Sequence, residues 1–180
     1  ADIGRLDRVL VVGSFLRKDH PLIAQRLRQS VKKGAEVSVL HSADDELLIN
    51  LKVRAIAAPS QLPTLFGAVA KATCLLKSAA VPQFLDAVTV TPEAQAIAES
   101  LASGTKIGIV LGNFAQQHPQ AATMHALGRL LSRLLDARFG FIGEAANSVG
   151  GYVAKAVPAV GGLNAVAMLK DPRQAYLVLG

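Results

Sequence analysis

Four histidines and one cysteine carry most of the acid–base and nucleophilic chemistry open to this sequence. His20 and His118 each precede a proline, where the loop after a strand runs into a helix. A histidine there can serve as a general acid or base at a strand end. The competing reading is a polar residue near a helix N-cap, satisfied by backbone. His41 closes a strand, at the position where nucleotide-binding folds place a ribose-binding carboxylate. His125 falls inside a helical stretch and reads as exposed. Cys74 stands alone, so no disulfide and no thiolate zinc cluster can form within the chain. Its neighbours Ala72, Thr73, Leu75 and Leu76 mark it as a buried structural thiol on a core helix. The most polar loop at a strand end is residues 144–151, where Asn147, Ser148 and Gly150 offer amide, hydroxyl and backbone donors to a ligand. It reads equally as a tight turn into a helix.

Phosphate chemistry is poorly provided for. A dinucleotide fingerprint needs glycines that let backbone approach pyrophosphate at a helix N-terminus. Gly13 is followed by Ser14 and Phe15, and Gly112 by Asn113 and Phe114. A bulky ring stands where the second glycine belongs. There is no GxxxxGK[ST], so a P-loop is excluded.

The elements that must position these residues alternate strand and helix. Residues 8–13 are a short apolar run closed by glycine, a strand buried on both faces. After a loop over residues 14–20, Pro21 opens a helix that places Leu22, Ile23, Leu27 and Val31 on one face and ends at Gly34. Residues 35–40 form the next strand. Asp44, Asp45 and Glu46 open a helical turn, and residues 53–57 form a third strand. Helices follow at 60–78 and 92–103. The design then repeats: strand 106–112, a loop ending in His118 and Pro119, a helix burying Leu127, Leu130, Leu131, Leu134 and Leu135, and strand 138–142. The matching runs Gly13-Ser14-Phe15…His20-Pro21 and Gly112-Asn113-Phe114…His118-Pro119 imply a doubled fold wound both ways from a central point. Short helices near Ala154 and Ala165 and a closing strand at 174–179 complete the chain. The expected architecture is a three-layer αβα, Rossmann-like domain over residues 1–180, with a mostly parallel doubly wound sheet. Gly180 falls where a ligand-binding loop would begin, so the chain reads as excised from a longer protein.

Net charge is +6, and residues 1–33 hold eight basic and three acidic side chains. No aromatic residues interleave these charges, so the basic face reads as solvated rather than nucleic-acid binding. No charge-free apolar run reaches transmembrane length.

Residues 9–40, VLVVGSFLRKDHPLIAQRLRQSVKKGAEVSVL, resemble a segment of the molybdopterin oxidoreductase superfamily. LGNFAQQHPQAATMHALGRLL resembles its next strand, Gln-His loop and helix. GEAANSVGGYVAKAVP and GGLNAVAMLKDPRQAYLVLG resemble, more narrowly, the largest peripheral-arm subunit of bacterial NADH-quinone oxidoreductase, respiratory complex I. That resemblance implies a non-catalytic structural domain. The full complex would pass electrons from NADH through FMN and iron–sulfur clusters to quinone and translocate protons. The clusters would lie elsewhere in the subunit, with no cofactor in this domain. Its partners would be other peripheral-arm subunits, at the cytoplasmic side of the inner membrane, with no nucleic acid and no membrane insertion. Where active molybdenum enzymes hold pterin, this sequence reads Phe15-Leu16 and His41-Ser42-Ala43. Ser14, Phe15, Asn113, Asn147, Ser148 and Gly150 are then candidates for a vestigial site. The alternatives are a cofactor domain of an active molybdopterin enzyme and a nucleotide-binding module.

Overall fold

The computed structural model describes residues 2–143 and 148–177. Five strands, β1 (Arg8–Val12), β2 (Glu36–His41), β3 (Val53–Ile56), β4 (Ile107–Leu111) and β5 (Arg138–Phe141), form one sheet in the order β3-β2-β1-β4-β5. Every pairing is parallel; Val12 lies beside Leu40 on one side and Leu111 on the other. The order reverses direction between β1 and β4. This is the expected three-layer, doubly wound arrangement.

Strand alternation divides the core between two faces. Leu10, Val12, Ile107, Ile109 and Leu111 join α3 (Leu62–Leu76), α4 (Pro92–Ala102) and α6 (Ala121–Leu135) in one cluster, with Phe66 fully buried in it. Val9, Val11, Val37 and Val39 pack with α1 (Leu16–Asp19), α2 (Pro21–Lys32), Leu47 and Ile49 in the other. Both faces of a parallel sheet are thus covered.

Several local expectations are corrected. The loops after β1 and β4 each hold a helical turn, α1 and α5 (Asn113–Gln116). Residues 44–46 form no helix. Their carboxylates are taken by basic side chains instead: Asp44 pairs with Arg54, Asp45 with Lys18 at 3.6 Å, and Glu46 with Arg17 at 3.8 Å. Leu22 is 75 % exposed, because α2 buries Ala24, Leu27 and Ser30 instead.

Contacts separate a first unit, Ala1–Glu144, from a second, Ala145–Gly180. The second contains α7 (Ser148–Val153) and α8 (Ala165–Lys170). Asn164 caps α8, its Oδ1 accepting from the Ala167 amide at 2.9 Å. Residues 174–177 form no strand. The Tyr176 hydroxyl folds back to α8 and donates to the Met168 carbonyl at 3.0 Å. The rest of the expected closing strand lies outside the described residues. Among the described residues, no helix is long and apolar enough to cross a membrane.

Candidate functional site

The crevice at the carboxyl ends of β1 and β4 is where a doubly wound sheet offers a ligand its place. Gly13 ends β1 at φ +59°, a left-handed conformation that L side chains rarely adopt. That turn lets its amide donate to the Leu40 carbonyl at 2.8 Å, while Gly112 donates to the Val12 carbonyl at 2.8 Å. The two loops then cross. The Ala115 amide donates to the Gly13 carbonyl at 3.3 Å, and a Cβ on Gly13 would lie only 2.7 Å from the Ala115 nitrogen. Gln116 reaches across the other half; its side-chain amide donates to the Leu111 and Ile142 carbonyls at 3.1 and 3.0 Å. That clamp had no sequence signal beyond a glutamine after the second Gly-X-Phe.

Three rings gather on the crevice loops. Phe15 meets His41 edge-on at 4.6 Å between centroids, His41 meets Phe114 at 5.5 Å, and Phe15 meets Phe114 at 6.3 Å. Aromatic pairs favour such edge-to-face geometry. Lys18 places its ammonium 5.5 Å from the Phe15 ring centroid. The repeated Gly-X-Phe pattern was therefore the signal for this cluster, although sequence reading did not bring the two phenylalanines together or place His41 between them.

The vestigial-site candidates divide. Ser14, Phe15 and Asn113 do converge on the crevice loops. Asn113 opens α5 half-buried, and Ser14 is buried. Ser148 and Gly150 belong to α7 in the second unit, and Asn147 lies outside the described residues. Ala115 packs directly against Gly13, where an added Cβ would lie 2.7 Å from the Ala115 nitrogen.

The histidines take distinct parts. His118 holds the turn that precedes α6: its Nδ1 accepts from the Gln120 amide at 3.0 Å. The proton therefore sits on Nε2, which donates to the Pro59 carbonyl at 3.0 Å. Both nitrogens are used, as the N-cap reading expects. His118 and Phe114 also line an open cleft of about 560 Å³ with Pro59, Gln117 and Pro119. His125 stacks on Phe141, planes 2° apart at 5.5 Å. His20 precedes α2 without capping it through its side chain. Burial pushes its imidazole below the ordinary histidine range, against the pull of Asp19. Burial does the same to His41, opposed by Asp45 and Asp19. Cys74 is buried and unbonded, and burial raises its thiol, which fits a structural role. Among the described residues, no group of three or more His, Cys, Asp or Glu is placed to hold a metal.

Fold and site together define a doubly wound α/β domain whose switch-point loops carry a cluster of three aromatic rings. The chain is similar in fold to the formyltransferase/hydrolase complex (FhcABCD) from Methylorubrum extorquens, solved with methylofuran, at a TM-score of 0.55 and 20 % identity. The match covers 85 % of this chain and 40 % of that chain, so this sequence spans well under half of its neighbour's length. No family model matches the chain, and no curated protein does. These findings correct the narrower resemblance. The structural likeness runs to a formyltransferase/hydrolase complex, so the assignment to the large peripheral-arm subunit of complex I does not stand. With it go the NADH:quinone oxidoreductase activity, the peripheral-arm partners and the association with a respiratory membrane complex. The active molybdopterin enzyme and the nucleotide-binding module find no support either.

Proposed function

We propose that this chain is a packing domain of a larger subunit, working within a multisubunit assembly of the formyltransferase/hydrolase kind and holding no cofactor at its own switch point. The observation that carries this reading is the Phe15–His41–Phe114 ring cluster on the crevice loops, together with the close packing of Ala115 on Gly13. A binding domain of this topology keeps that position open and lined with small residues. The fold likeness and its coverage of 40 % of the neighbouring chain supply the kind of assembly. In the second unit, Val153, Leu169 and Leu177 are largely exposed, which suits a domain covered by further protein.

Two measurements test the two halves of this reading. Methylofuran and a pterin are titrated into the protein while amide shifts are followed by NMR. Unchanged signals at Gly13, Ser14 and Gly112 are expected up to millimolar ligand; saturable shifts there mean an open site. The natural protein is also purified under native conditions. Co-elution with other subunits and with formyltransferase activity is expected, and elution alone removes the assembly.

A further inference from the structure

Beside Ser14 and His41 lies a cavity of about 10 Å³. Ser14, Val39, His41, Asp45, Leu47 and Arg54 are among the residues that line it. Ion pairs anchor the segment that carries Asp45: Lys18 with Asp45 and Arg17 with Glu46, while the Arg17 guanidinium donates to the Glu46 carbonyl at 2.9 Å.

Two of the lining residues pose a hydrogen-bonding problem. Ser14 is 1 % exposed and His41 2 %. The Ser14 hydroxyl and both ring nitrogens of His41 are enclosed and find no protein hydrogen-bond partner among the described residues. A buried polar group left in that condition is destabilising, and buried polar groups in native proteins are nearly always satisfied by protein or by ordered water. The rings that touch His41 are phenylalanines and supply neither a donor nor a strong acceptor.

We propose that this cavity is a specific binding site for one water molecule, which bridges Ser14 Oγ and a ring nitrogen of His41 with the rim groups of Asp45 and Arg54 within the same enclosure. The size suits a single water and little more, since a cavity of roughly 10–15 Å³ is the least that admits one. The chemistry suits it as well. A neutral imidazole has one donor and one acceptor nitrogen, a hydroxyl can be either, and a buried water commonly makes about three hydrogen bonds to such groups. The bound water fixes which His41 nitrogen carries the proton and so orients the ring between Phe15 and Phe114. The site lies beside the crevice and does not depend on what the whole assembly does.

Water–protein nuclear Overhauser measurements on the intact chain test it, together with nitrogen-15 shifts of the His41 ring. A cross-peak from a long-lived water to Ser14 and His41 is expected, lost at least severalfold in Ser14→Ala, a substitution small enough to keep the fold. A crystal structure should place a water within about 3.2 Å of both Ser14 Oγ and one His41 nitrogen. No water cross-peak in the unaltered chain overturns the proposal. So do ring shifts that mark an N–H···π contact with Phe15 in its place, or an undiminished signal in Ser14→Ala. Ligand-induced shifts at Gly13 would count against the closed crevice and leave the water site standing.

Discussion

Charging His41 would leave an imidazolium with almost no access to water, so burial holds its imidazole below the ordinary histidine range despite the pull of Asp45 and Asp19. Burial lowers its proton affinity, and His20 shifts in the same direction for the same reason. The unfolded chain therefore takes up protons near pH 6.5, the ordinary histidine value of about 6.5, while the folded chain resists them. This contribution to stability is complete above that pH and is lost as pH falls through the folded values beneath it. The urea midpoint should drop between pH 7.5 and pH 5.5, and His41→Gln should flatten that drop. A midpoint that holds or rises on acidification refutes the neutral buried histidine. Further down, Glu36 and Asp7 add a second loss. Glu36 is lowered first by the Ser100 hydroxyl, against burial, and then by Lys52 and Arg8. For Asp7, burial raises the value, but the Thr105 hydroxyl, the amides of Lys106 and Thr105, and Arg8 outweigh it. Both carboxylates stabilise the fold above their unfolded values and cease to do so as pH falls through the folded ones. At this scale the sequence was partly readable. The Pro after His118 marked the approach to a helix, which begins two residues later at Ala121, and His118 is satisfied by backbone in the turn before it. Nothing local marked His41 as the middle of a ring cluster, because its partners come from loops 26 residues upstream and 73 residues downstream.

The strand–loop–helix units meet at Gly13, and that joint limits what the elements can tolerate. Its positive φ and the 2.7 Å approach of Ala115 both exclude a side chain. Gly13→Ala should cost about 1–2 kcal/mol for the left-handed backbone and about 1–3 kcal/mol more for overpacking. Denaturant melts measure the sum. A loss below about 1 kcal/mol, the low end of the backbone cost alone, would mean the two loops part easily and the crevice is less firmly closed than the packing implies. Elements themselves were legible wherever punctuation was strong. Pro21, Pro92 and the glycines after β1 and β4 fixed helix starts and strand ends to within a residue or two. The failures have a common cause. α2 presents small Ala24 and polar Ser30 to the core, so its apolar pattern gave Leu22 to the wrong face. Residues 44–46 looked like a helix start, but acidic side chains that can pair with Arg17, Lys18 and Arg54 have a stronger use in holding a loop.

At the scale of the whole molecule, the fold class followed from alternation of strand and helix, whereas the assignment to one respiratory subunit rested on short phrases, each weak alone. Such phrases report the turn chemistry of a doubly wound sheet, Gly at strand ends and Pro at helix starts, which unrelated functions share. The core shows where the stabilising interactions lie. Both apolar clusters are built from residues up to Ile142, whereas Val153, Leu169 and Leu177 stay exposed and the described part of the second unit contributes no member to either cluster. Burial of apolar surface is the main favourable contribution to folding. A chain ending at Gly143 should therefore keep a single cooperative thermal transition, its Tm within about 4 °C of the 180-residue chain, roughly the shift that 1 kcal/mol makes in a domain of this size. Limited proteolysis of the intact chain should cut first within residues 154–163, where the backbone is exposed and carries little secondary structure. Calorimetry of the shortened chain decides the point. A broad, non-cooperative melt would mean that the sheet domain needs residues beyond 143 to hold its core, and the self-contained first unit would have to be given up.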